Sequence, residues 1–378
     1  MINTSKPNLI FIVAVIGLIV TVALVLFNLA SQGHAAFNSD SLGLHWTFPI
    51  VVYDYFLLTS TGLAMIASLM LIFGGLHCQP LVRRCLWLAV AGLVGGVSVL
   101  VLELGYPLRA IWAIPTSFAV TSALWWKVIF VIAYVVLLLI TANLLRKPGD
   151  WPAAARTSAI LLLLAALGVT GVAGVVYGSM TMRPFWSSGD VPVAFIFESL
   201  LGGLAFAIFF SYLVHGFSQE RMSAPLRDLL TGMLPKVFAL AIFVHLMFVG
   251  ARALIGLHSN AEGLQVWHHL VNTPLFHFAL WVGLGLPLLL MLSPRLRANG
   301  NSQIVAALLV MISLFISRYD YIIGGQMVPM FKGAWAPDLL SYAPSFTEWM
   351  LLFMAIFLAN AINAWGEKNF DLSWCKQA

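Results

Sequence analysis

Charge is what this sequence has least of. Of 378 residues only 9% are Asp, Glu, Lys or Arg, against roughly a quarter in soluble domains, which excludes an ordinary water-soluble fold. Cysteine is nearly absent. Cys78, Cys85 and Cys375 are too few to hold an iron–sulfur cluster on thiolates alone, so neither an internal cluster nor a disulfide framework is expected. Histidine pairs suited to a b-type haem are missing as well. Only His245 lies well inside an apolar run and His277 near the start of another; His268 and His269 are adjacent in a loop, His34, His45 and His258 are also on the outer side, and His77 and His215 sit at inner ends of runs. A haem carrier needs paired axial ligands reaching inward from spanning helices, so no haem is expected. The net charge of +5 follows from basic loops on one side, which gives no reason to expect nucleic-acid binding.

What is present is apolar: 61% of the residues are hydrophobic, with 13 Trp and 26 Phe. Scanning for runs of about 17 to 25 apolar residues gives ten, at about 9–30, 48–76, 85–102, 125–144, 158–176, 191–213, 233–254, 275–291, 304–317 and 345–365. The ninth is short. His34, Ala35 and Ala36 imitate a signal-peptidase site after the first run, but that run is too long for a secretory h-region and is read as a span. Lys and Arg accumulate in cytoplasmic loops. Lys6, Arg83, Arg84, Arg146, Lys147, Arg156, Arg221, Arg227, Lys236, Arg295, Arg297, Lys368 and Lys376 fall on one side, and Arg109, Lys127, Arg183, Arg252, Arg318 and Lys332 on the other. The bias predicts both termini in the cytoplasm and longer, aromatic outer loops holding Trp112, Pro115, Trp186, Trp267, Trp335, Pro337 and Pro344.

The second and sixth runs echo one another. Pro49, Asp54 and Gly62-Leu63-Ala64 correspond to Pro192, Glu198 and Gly203-Leu204-Ala205. An all-α integral membrane protein is predicted, with helices 2–5 and 6–9 as two four-helix bundles flanked by helices 1 and 10.

Four carboxylates, Asp54, Glu103, Glu198 and Glu348, lie in or at the mouths of spans, all on the outer side. Ionisable groups there are costly and mark function by default. Glu103 ends the third span ahead of Tyr106 and Arg109, so an acid, a phenol and a guanidinium gather at a Gly/Pro break. Its alternative reading is a salt bridge to Arg109. Across the next loop, Ser122, Trp125, Trp126 and Lys127 open the fourth span. Hydroxyl and ammonium donors, aromatic faces and a carboxylate suit a flat ring with two carbonyl oxygens, a quinone. Asp54, beside Tyr53 and on one helical face with Thr61, supplies a second wall. His245 is a candidate proton relay with Glu198. Inward of these acids the runs offer hydroxyls such as Ser68, Tyr134, Thr141 and Ser211 and no carboxylate, so energy-coupled pumping is not indicated. Ten helices with buried acids also fit a proton- or ion-coupled transporter, and a structural anchor is the third reading.

Four stretches resemble one family: ELGYPLR from Glu103, TSALWWK from Thr121, MRPFWSSGDVPVAFIFESLLGG from Met182 to Gly203, and SRYDYIIGGQMVP from Ser317 to Pro329. They are similar to elements of the NrfD and polysulfide reductase membrane-subunit family, which includes the quinol-oxidising subunits of alternative complex III. The resemblance spans the third helix to the last loop and implies a single polytopic domain, residues 1–378, in the bacterial cytoplasmic membrane. It also implies a quinol/quinone oxidoreductase subunit without its own haem or cluster, binding menaquinone or ubiquinone near the outer face. Electrons would pass to or from a ferredoxin-like iron–sulfur subunit, and through it a molybdopterin subunit or cytochromes. Glu103 replaces the family's Asp and would act with Asp54 as acid–base pair. Tyr106 stands at a basic position, Ala123 and Leu124 replace Pro and Met, and Ser60 stands where some relatives carry a quinol-contacting histidine. Tyr53, Ser60, Tyr106, Arg109, Ser122, Trp125 and Lys127 are the expected binding residues.

Overall fold

The computed structural model describes residues 5–147, 149–331, 333, 336–370 and 372. Lys332, Trp335, Cys375 and Lys376 lie outside the described residues, as does the side chain of Lys6. In chain order the helices are α1 (Ser5–Gln32), α2 (Phe48–Phe73), α3 (Gln79–Glu103), α4 (Pro107–Thr116), α5 (Ala123–Leu144), α6 (Ala153–Gly178), α7 (Val191–Val214), α8 (Ala224–Thr231), α9 (Met233–His258), α10 (Val266–Leu270), α11 (Pro274–His277), α12 (Leu286–Leu292), α13 (Pro294–Arg297), α14 (Gly300–Gly324) and α15 (Phe346–Asn369). A π-helix, Phe278–Gly285, joins α11 to α12. Ten segments are long and apolar enough to cross a membrane: α1, α2, α3, α5, α6, α7, α9, the α11–α12 unit, α14 and α15. No strand occurs among the described residues. This is the multi-pass membrane fold the sequence predicts.

Helices α2, α3, α5 and α6 form one bundle and α7, α9, α11–α12 and α14 the other, with α2 against α7 at the joint. Helix α2 is buried on nearly every face, as befits a helix apolar all round. Small residues set the joint. A Cβ on Gly62 would fall 1.7 Å from the Ser199 carbonyl oxygen, and one on Gly203 2.5 Å from the Gly62 carbonyl carbon. Without a hydrophobic drive between helices in lipid, such close backbone approach supplies much of the packing energy. The two echoed segments of the sequence therefore meet face to face.

Helices α1 and α15 flank the bundles as a pair: they pack on each other, and α15 docks on α3. The span limits also shift where charge is buried. Helix α3 starts at Gln79 rather than 85, and α14 runs from Gly300 to Gly324 rather than 304–317. Apolar-run scanning stops at Arg83, Arg84, Arg318 and Asp320, yet the helices continue through them. Lys127 and Arg318, expected in the outer loop count, are buried within helices.

The end of the bundle opposite the four acids is not free of carboxylates, contrary to expectation. Glu367 of α15 meets Arg84 of α3 at 2.6 Å with both side chains almost wholly buried. Arg83 beside it donates to the carbonyls of Leu145, Arg146 and Phe370, tying down two chain segments. His215, just past α7, bonds through Nδ1 to the Ser211 carbonyl. Burial first, then the Arg84 charge, hold its imidazole below the ordinary range. A depressed histidine is neutral in the folded protein but takes a proton when unfolded, so stability drops as pH falls below about 6.5, the unperturbed value. Thermal unfolding in detergent from pH 8 to 5 should show this decline, and His215→Gln should flatten it.

Candidate functional site

Asp54 lies two turns into α2, wholly buried, because Pro49 in the first turn starts the helix at the loop. Its Oδ1 accepts from Lys127 Nζ of α5 at 3.1 Å and its Oδ2 from the Tyr177 hydroxyl of α6 at 3.0 Å. Arg318 of α14 reaches Oδ2 at 3.9 Å and Glu198 Oε2 of α7 at 2.6 Å. Five side chains from five helices are thereby joined, and four of them, Lys127, Asp54, Arg318 and Glu198, form a chain of alternating charge that crosses the joint between bundles. Buried charges survive when so compensated. The guanidinium also sits over the Phe195 ring at 4.0 Å, and the Lys127 ammonium over Tyr53 at 5.2 Å.

Below Asp54, hydroxyls link three helices. Thr61 meets Thr170 at 3.0 Å and Ser199 at 3.4 Å. Ser60 donates to the Ala89 carbonyl and pairs with the Tyr134 hydroxyl, 2.7 Å each. With its one proton engaged, Ser60 has none to offer a ligand.

Above Asp54, Gln326 locks the loop before α2: its Oε1 accepts from His45 and Trp46 backbone N–H groups, and its amide donates to the Trp46 carbonyl. Trp46 stacks on Trp186 at 5.2 Å, and Tyr177 packs edge-on against both. Arg183 clamps the same region through the Val328 and Gly43 carbonyls. Burial holds its pKa below the usual arginine range. Trp186 and Trp267 of the aromatic outer loops are therefore buried packing residues, whereas Trp112 is 61% exposed on α4.

The sequence-derived acids separate into different roles. Glu103 is half-buried at the end of α3, and its backbone carbonyl, not its carboxylate, meets His34 Nε2 at 3.0 Å. It neither joins the Asp54 cluster nor pairs with Arg109, which is exposed with Tyr106 on and before α4. Trp125 donates to the Pro115 carbonyl and Ser122 is the residue before α5, so both shape the α4–α5 turn. Glu348 is structural: with Ser345 it forms a capping box, and it takes the Tyr342 hydroxyl at 2.8 Å. Burial first, then the Glu348 charge, push the Tyr342 phenol well above its ordinary value. Glu198 and His245 line one cavity, in which His245 has no hydrogen-bond partner on either nitrogen. Arg318, Tyr177 and Asp320 were not legible as site residues.

The family model described as Polysulphide reductase, NrfD, matches residues 36–330, which include every member of the buried charge chain. The chain belongs to the NrfD family. A subunit of the selenate reductase of Mesobacillus selenatarsenatis is 22% identical over 349 residues, covering 80% of each chain. The Hdr-like menaquinol oxidoreductase integral membrane subunit of Archaeoglobus fulgidus is 22% identical over 359 residues, covering 89% of this chain and 87% of the relative. Both relatives are named as subunits of reductases or oxidoreductases, so this NrfD-family protein is a membrane component of a redox complex.

Proposed function

We propose that this chain is the quinone-binding membrane subunit of a respiratory oxidoreductase, exchanging electrons between the membrane quinone pool and an iron–sulfur partner docked on its loop-rich end. The observation that carries the reading is Asp54, fully buried yet gripped by an ammonium and a phenol within hydrogen-bond distance. A quinol hydroxyl gives up a proton only to a positioned acceptor, and a quinone carbonyl is polarised by a positioned donor. Asp54 and Lys127 supply the two. Helices α3 and α5 touch each other much less than α2 touches α3 or α5 touches α6, so the α3–α5 seam is the less tightly packed side of the first bundle and the proposed way in for the ring. Menaquinone is favoured by the name of the archaeal relative.

In the oxidative direction one quinol loses two electrons, which pass to the partner's iron–sulfur cluster, and two protons, which leave through carboxylates. The reverse direction consumes both. The loop bias in Lys and Arg supports a site near the outer membrane face and both termini in the cytoplasm. A molybdopterin or cytochrome subunit would stand beyond the iron–sulfur partner. A transporter would keep its ligand groups near the bilayer midplane, whereas these sit within two turns of helix ends.

The test is titration of the purified complex with a fluorescent quinol-site inhibitor. Lys127→Met should weaken binding by about 10- to 100-fold, the range of a lost charge-assisted hydrogen bond, while Glu103→Gln should change it little. Saturable binding indifferent to Lys127 would move the site elsewhere. No binding by the assembled complex would sink the quinone reading.

A further inference from the structure

The second bundle bounds a half-open cavity of about 100 Å³ between α7, α9, α14 and the π-helix. Its walls are largely apolar, including Phe195, Phe248 and Trp267, but Glu198, His245, Arg252, Asp320 and Tyr321 also line it. His245 is 5% exposed and neither ring nitrogen has a partner. Asp320, half-buried in the last turns of α14, has no hydrogen-bond or ion-pair partner among the described residues. Leaving such groups unsatisfied in an apolar wall costs about 1–3 kcal/mol for a neutral one and more for a charge. A dry cavity would thus penalise both.

The dimensions choose the occupant. About 100 Å³ lies well below the ~300 Å³ at which small-molecule pockets begin but has room for several waters, each needing roughly 10–15 Å³ of such space. The π-helix deepens the case, because π-turns inside α-helices are rare and gather at functional sites. Here it contributes Ala279 and Leu280 to the wall while the freed Ala279 carbonyl is met by Ser313 at 2.8 Å.

We propose that this cavity is a hydrated proton-exchange chamber, in which Asp320 and His245 trade protons through water with Glu198. The idea rests on the quinone reading for its purpose. Glu198 shares Arg318 with Asp54, so a proton arriving on Asp54 releases the guanidinium toward Glu198 and eases a proton off it. The charged groups facing the chamber are Glu198 of α7, His245 and Arg252 of α9, and Asp320 of α14, with Arg318 behind Glu198; the π-helix and α10 add none among the described residues.

Two variants test it in the intact complex. Ala279→Leu fills the void without touching a titratable group, and Asp320→Asn removes one. Infrared spectra in H₂O and D₂O should show an exchangeable carboxyl band in wild type that Asp320→Asn deletes. Quinol turnover should fall by about tenfold or more in both variants with an altered pH profile, while electron transfer to the partner subunits from an artificial donor stays unchanged. Wild-type turnover and pH profile in both variants, or a carboxyl band that never exchanges, would overturn the chamber. Loss of inhibitor binding in wild type would instead overturn the quinone reading and leave the exchange spectrum to judge the chamber alone.

Discussion

Asp54→Asn should abolish quinol turnover, lowering kcat by at least about 100-fold, the scale on which positioned proton acceptors act, while the partner subunits keep their activity with soluble donors. The substitution keeps shape and one hydrogen-bond acceptor but strips the charge that Lys127 and Arg318 face at 3.1 and 3.9 Å. Those cations would then be buried with one carboxylate of the chain left, Glu198, which reaches only Arg318. Removing one partner of a buried ion pair typically costs about 3–5 kcal/mol, so loss of folded protein would also lower activity. The double variant Asp54→Asn/Lys127→Met separates the two effects, because it restores charge balance. It should recover the yield of assembled complex and none of the turnover. Recovery of turnover as well would remove Asp54 from the chemistry.

Gly62→Val should prevent the protein from assembling at all. A Cβ at position 62 meets backbone, the Ser199 carbonyl oxygen at 1.7 Å, and backbone cannot swing aside as a side-chain tip can. The two bundles would have to separate along α2 and α7, exposing the Thr61, Thr170 and Ser199 hydroxyls. Size-exclusion chromatography of the detergent extract should show aggregate in place of a monodisperse peak. Gly171→Ala offers the control: nothing lies within 4 Å of a Cβ there, and that variant should behave as wild type.

The ten spans and their grouping are legible because long apolar runs encode them directly, and the Gly62 and Gly203 echo marks the helices that touch. The charge chain is not legible, for a physical reason. Asp54 finds Lys127 73 residues away and Tyr177 123 residues away, and only the fold brings them together. The sequence singles out Asp54 as an acid and Lys127 as a binding residue, on two walls of one expected pocket, without joining them as an ion pair. Arg318 hides in the stretch Ser317-Arg318-Tyr319-Asp320-Tyr321, whose polarity ends the apolar run and imitates a loop. The shortness of that ninth run was itself the signal, since a helix cannot stop mid-bilayer with its backbone exposed to lipid. Glu348 is separable from the other acids by sequence alone. Ser345 three residues before it spells a capping box.

The contact between Gly62 and Gly203 has a mechanical meaning. Membrane proteins that carry solutes by alternating access rock one half of the molecule against the other, and the halves need a lubricated seam of side chains over which to roll. Here the halves meet main chain to main chain at Gly62 and Gly203, leaving no layer of side chains between them at that point. On the quinone reading, turnover would then need only protons, electrons and side-chain rotamers to move. On that reading the joint would serve as a fixed frame past which charge moves.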